Sequence, residues 1–119
     1  MYFFDSYAII EVLGENPAYR QYSSEKFNTT SLNLAEVYYA YLLRGKEKQL
    51  LELFEEMDFN LIPFSTVEAF SAMQFRFDNK KRNLSFIDAL GYTLAKSLGL
   101  PFLTGDKQFR EIGGVEWVK

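Results

Sequence analysis

A chain of 119 residues, 48% of them hydrophobic, has room for one domain with a substantial core, and no apolar run is long enough to span a membrane. It contains no cysteine and no histidine, which excludes disulfides, thiolate metal centres and every nucleophilic or general-base scheme that depends on histidine. The formal net charge is −3, and a metal held here must be held by oxygen, which favours magnesium or manganese.

Met1-Tyr2-Phe3-Phe4-Asp5 lacks a basic stretch before its apolar residues. It reads as a first strand over Tyr2 to Phe4 and not as an export signal, so a cytoplasmic protein is expected. A helix follows from Ser6 to Leu13, stopped by Gly14 and Asn16-Pro17. Lys26 to Thr30 reads as a second strand. Leu34, Val37, Tyr38, Tyr41 and Leu42 recur at helical spacing up to the break at Gly45. Leu50, Leu53, Phe54 and Met57 mark another helix, and Phe59 to Pro63 a third strand. Ser65 and Glu68 open the next helix as a capping box, continuing through Phe70, Met73 and Phe77. A helix carrying Ile87, Leu90, Leu94 and Leu98 closes at Gly99, ahead of a fourth strand over Leu100 to Thr104 and a short fifth over Val115 to Val118.

Strand and helix in alternation predict an α/β fold: a single domain over 1–119, with a central parallel sheet and helices on both faces. The aromatics (12 Phe, 8 Tyr and 1 Trp) exceed what a small core requires. Phe75 lies off the Phe70–Phe77 stripe, so the surplus reads equally as a generous core or as a contact with a second subunit.

Such folds gather strand ends and helix starts at one sheet edge, where they bind ligands. Four acids fall at such places. Asp5 ends the first strand, and reads equally as a helix N-cap or a metal ligand. Glu36 follows Asn33 by three, which a capping box would explain by itself. Asp88 follows Ser85 by three as a first-turn acid, but Gly91 and Ala95 continue its face and allow close approach to the sheet. A buried aspartate there needs a partner, and a cation is the obvious one. Asp106, in Thr104-Gly105-Asp106, sits in a common turn at the end of a buried strand. Convergence is what favours a divalent-metal site over four separate caps. With those four set aside, 13 basic residues face 12 acidic ones, so the charge neither requires nor excludes a nucleic acid. Arg44, Lys46 and Lys48 form one basic cluster and Lys80, Lys81 and Arg82 another; each reads as a solvated loop or a phosphate contact. Gly113-Gly114 reads as a turn and no glycine-rich phosphate loop occurs.

Phe3-Phe4-Asp5-Ser6, Asn33-Leu34-Ala35-Glu36, Phe86-Ile87-Asp88-Ala89 and Leu103-Thr104-Gly105-Asp106-Lys107-Gln108-Phe109 together resemble the PIN domain family, and within it the VapC-type ribonuclease toxins of toxin–antitoxin pairs. The resemblance runs in order along the whole chain. It implies a Rossmann-like α/β/α sandwich and a magnesium- or manganese-dependent endoribonuclease. It also implies Asp5, Glu36, Asp88 and Asp106 as the catalytic, metal-binding quartet, with Ser6 and Thr104 as supporting hydroxyls. RNA as substrate, a small antitoxin as partner and a homodimer are expected on the same basis. Many relatives carry a further aspartate two residues beyond the position of Asp106, where this chain has Gln108. That puts a second metal in doubt, with Glu111 as a poor substitute.

Other readings compete. A phosphoacceptor receiver domain needs paired acids after the first strand and an aspartate ending the third; here Ser6 follows Asp5, and Asp58 precedes the third strand. A phosphatase using an aspartyl nucleophile lacks its Asp-x-Asp at Asp5-Ser6-Tyr7. A non-catalytic PIN-like interaction module and a housekeeping RNA-processing nuclease stand as the alternatives to a toxin.

Overall fold

The computed structural model describes residues 1–119. Five short strands form one parallel sheet: β1 (Phe3–Phe4), β2 (Phe27–Thr29), β3 (Phe59–Leu61), β4 (Phe102–Thr104) and β5 (Val115–Trp117), in the order β3-β2-β1-β4-β5. Each strand lies where the sequence predicts one, trimmed by one or two residues at its ends. The helices are α1 (Ser6–Leu13), α2 (Ser31–Leu43), α3 (Glu47–Glu56), α4 (Thr66–Asp78) and α5 (Phe86–Ser97). A 3-10 turn over Pro17–Tyr22, not foreseen in the sequence, fills the gap after α1 and buries Tyr19 and Tyr22.

The sheet divides the core in two, and the period-2 alternation of its central strands does the dividing. Phe3 and Phe102 point to the face covered by α5, with Leu90, Leu94 and Phe109. Their neighbours Phe4 and Leu103 point to the face covered by α1, α2 and α3, with Ile9, Val37 and Leu50. Burial on both sides is why β1 is apolar throughout and β4 is apolar up to Thr104, the buried polar residue at its end. In register, Phe3 pairs with Phe102 and Phe4 with Leu103. Helix α5 comes close to the sheet as its small residues predict: a Cβ on Gly91 would stand 3.0 Å from the Phe3 ring and 3.2 Å from that of Phe102.

Helix α4 differs from expectation in phase. It packs on α5 through Ala72 and Phe75, and the Phe75 ring stacks on Tyr92 at 4.5 Å, so Phe75 belongs to the core. Phe70, Met73 and Phe77 face outward, with Val67 one turn earlier; Val67 is 71% exposed and Phe70 70%. Apolar residues occupy both faces of this helix, so periodicity alone does not say which face is buried.

β1 lies at the centre with β2 on one side and β4 on the other. The chain leaves β1 toward β2 and returns to β4, so the strand order reverses between β1 and β4. Ligands of open α/β sheets bind at that reversal, beyond the carboxyl ends of the strands.

Candidate active site

Asp5 is the first residue past β1 and is almost fully buried, in the crevice between β1 and β4. It occupies the N-cap position of α1 yet makes no side-chain capping bond. The Thr104 hydroxyl, at the end of β4, donates to Asp5 Oδ2 at 2.7 Å, while Oδ1 is buried with no hydrogen-bond partner. A buried carboxylate oxygen without a donor is costly and calls for a proton or a cation.

Glu36 is placed by an adjoining polar network. The N-cap of α2 is Thr30, not Asn33, and its hydroxyl accepts from the Asn33 amide N–H at 3.1 Å. This corrects the capping-box reading of Glu36, which lies in the second turn. Its carboxylate instead accepts from the Ser6 hydroxyl at 2.5 Å. Fully buried Asn33 supports that contact from behind: its Nδ2 donates to Ser6 Oγ at 2.9 Å, and its Oδ1 accepts from Thr30 Oγ1 at 2.6 Å. Thr30 and Asn33 hold the site's hydroxyl in position, and sequence reasoning missed both roles. The signal was Thr30-x-x-Asn33, a cap directly after a strand.

Asp88 and Asp106 keep the local roles their motifs suggest. Ser85 and Asp88 form a reciprocal capping box on α5, with Asp88 Oδ2 accepting from the Ser85 N–H at 2.9 Å. Asp106 caps the 3-10 turn Lys107–Phe109, its Oδ1 accepting from the Gln108 N–H at 2.9 Å. Thr104 Oγ1 in turn accepts from the Asp106 N–H at 3.1 Å, tying Asp106 to the hydroxyl that binds Asp5.

The carboxylates feel one another. Burial pushes Asp5 from 3.8 up to about 8, helped by the charge of Asp88 and, less, of Glu36, against the stabilising Thr104 bond. Burial also raises Glu36, and the charge of Asp88 adds to it while the Ser6 bond opposes. Burial raises Asp88, the Ser85 bonds lower it, and Asp106 raises it again. Even so, no three acidic side chains stand close enough together to form a ready-made ligand set, because Asp88 and Asp106 turn toward backbone N–H groups of their own turns. The donors fit a hard divalent cation in kind, all being oxygen, and the unpartnered Asp5 Oδ1 supplies the open acceptor.

Of the basic clusters, Arg44, Lys46 and Lys48 follow the C-terminal end of α2, a helix about 20 Å long that begins at the site. They sit at the far edge. Arg82, from the other cluster, donates from Nη1 to the carbonyls of Gln108 at 3.0 Å and Arg110 at 2.9 Å, clamping the loop after Asp106. Glu111 is exposed and in a left-handed conformation (φ 66°), and it is not among the charges that perturb Asp5, Glu36 or Asp88.

Among solved structures, a toxin–antitoxin complex from Klebsiella pneumoniae is similar with a TM-score of 0.75 at 22% identity, covering 97% of this chain and 95% of that one. VapBC2 from Rickettsia felis, bound to a DNA fragment from its promoter, is similar with a TM-score of 0.71 at 18% identity, covering 99% of this chain and 98% of that one. No curated protein matches the sequence. No helix is long and apolar enough to cross a membrane. The family model of the PIN domain matches residues 2–115, nearly the whole length, and with it the chain belongs to the PIN domain family of nucleases.

Proposed function

We propose that this PIN domain is a magnesium- or manganese-dependent endoribonuclease acting in the cytoplasm as the toxin of a toxin–antitoxin pair. The observation that carries the reading is Asp5: a buried carboxyl at the strand-order reversal, one oxygen held by Thr104 and the other unpartnered, with the charges of Asp88 and Glu36 bearing on it and that of Asp106 bearing on Asp88. On this reading Asp5, Glu36, Asp88 and Asp106 hold the ion. The chain's own part is positioning. Thr104 orients Asp5 so that Oδ1 faces away from the hydroxyl, and Ser6, backed by Asn33, fixes Glu36. Asp88 and Asp106 sit on the rim, held by backbone N–H groups they can exchange for a cation. A bound divalent ion supplies activation of water and neutralisation of charge on the phosphodiester.

Likeness of fold to components of two toxin–antitoxin assemblies supports an antitoxin as the protein partner. The exposed apolar stripe Val67, Phe70, Met73 and Phe77 on α4 supports a homodimer, since monomers seldom expose a contiguous apolar surface of this kind.

The test is cleavage of a panel of structured RNAs by purified protein with manganese, magnesium or EDTA. Cutting is expected only with metal, and Asp5→Asn and Asp88→Asn are each expected to lower the rate about a hundredfold or more. Cleavage by both variants at the wild-type rate would overturn the assignment. A folded wild type that neither cuts nor binds metal would favour a non-catalytic interaction module, the role in which Asp88 and Asp106 remain plain helix caps.

A further inference from the structure

Beside the carboxylates, and sharing Asp106 with them, lies a cleft of about 510 Å³. Its walls carry Tyr7, Lys107, Arg110, Trp117 and Lys119, two aromatic rings and three cationic side chains, beside the carboxylate of Asp106. A pocket of this volume lies within the range that accommodates small ligands. The Arg110 guanidinium lies 4.4 Å from the centre of the Trp117 ring. The cleft is built from pinned parts. Trp117 Nε1 donates to the Asp106 carbonyl at 3.0 Å, Arg82 holds the backbone of Gln108 and Arg110, and Gly105 lets the end of β4 pass directly beneath the Tyr7 ring.

Positive side chains around aromatic faces, opening onto an acidic centre, match the chemistry of a single-stranded polynucleotide. Cations track the phosphates, and every base offers a π-face for stacking. We propose that this cleft is a nucleotide-binding subsite. A base of the RNA flanking the cleavage point stacks on Trp117 or on the Arg110 plane above it, while Lys107 and Lys119 contact the adjoining phosphate. This rests on the ribonuclease reading for its role, but its test needs no cleavage.

Trp117 is the only tryptophan, so its fluorescence reports on the cleft alone. The probe is a cleavage-resistant 2′-O-methyl RNA octamer of mixed sequence, titrated into the full chain in EDTA, with inorganic polyphosphate as a base-free polyanion. The octamer is expected to quench Trp117 saturably and polyphosphate to quench far less. Lys107→Ala with Arg110→Ala, both exposed positions, is expected to weaken octamer binding at least about fivefold. Octamer binding without quenching, equal quenching by polyphosphate, or unchanged affinity in the double variant would overturn the subsite. Quenching by a wild type that fails to cut any RNA with manganese would overturn the nuclease reading and leave the subsite standing. Cutting without quenching would do the reverse.

Discussion

Burial and the neighbouring charges of Asp88 and Glu36 push the Asp5 carboxyl up to about 8, against the Thr104 hydroxyl that favours its charged form. The metal-free fold therefore favours the protonated acid. Its folded pKa, about 8, lies above the 3.8 of an unperturbed aspartate, so between those values the folded chain keeps a proton that the unfolded chain releases. Its contribution to stability is therefore complete below about pH 4 and is lost as the pH rises toward 8. Wild type is expected to lose stability over that window relative to Asp5→Asn, measured by urea denaturation of the metal-free proteins at pH 5 and pH 8. Saturating manganese, which competes with the proton, is expected to raise the wild-type melting temperature more at pH 8 than at pH 6. A larger shift at pH 6 would mean that Asp5 is not the ligand. The positions of all four acids at one sheet edge were legible from strand ends and helix starts. How each is held was not. Glu36 looked like a cap because Asn33 stands three residues before it, but Thr30 takes the cap and frees Glu36 for Ser6. Local spacing cannot register a bond between residues 30 positions apart.

At the level of elements, the tightest fit is the turn leaving β4. A Cβ at Gly105 would collide with the Val118 carbonyl, the Tyr7 ring and the Tyr19 hydroxyl, whereas one at Gly113 would meet nothing within 4 Å. Gly105→Ala is thus expected to destabilise the chain by roughly 1–3 kcal/mol or more through overpacking, with Gly113→Ala close to neutral, both measured by urea denaturation. Equal midpoints for the two variants would show that the turn yields. The order and type of the strands and α-helices were readable from periodicity, caps and glycine stops. Two things were not. The 3-10 turn at Pro17–Tyr22 is held by tertiary contacts, among them the Tyr19 hydroxyl on the Val118 carbonyl, which no local pattern encodes. The phase of α4 was ambiguous because Phe75 and Phe77 are chemically alike, and only the Tyr92 ring across from Phe75 decides between them.

For the whole molecule, the outward stripe of α4 sets the expectation of a second copy. Phe70→Lys with Phe77→Lys is expected to convert a dimer to monomer in sedimentation velocity, with little change in unfolding midpoint, because both rings are largely exposed. A wild type that is monomeric at high micromolar concentration would remove this role from α4.

The central place of β1 has a consequence for how the protein is made. β1 ends at Phe4 and its partner β4 begins at Phe102, so the middle of the sheet joins chain segments nearly 100 residues apart. The Thr104–Asp5 bond spans 99 residues. Sheets of such long sequence separation close late, after loop-closure entropy has been overcome. A ribosome that stalls before Thr104 leaves Asp5 without the hydroxyl that orients it and without Asp106. On the proposed nuclease reading, chains terminated before Asp106 are therefore expected to be inactive, because the acidic site is completed only when that residue has been made.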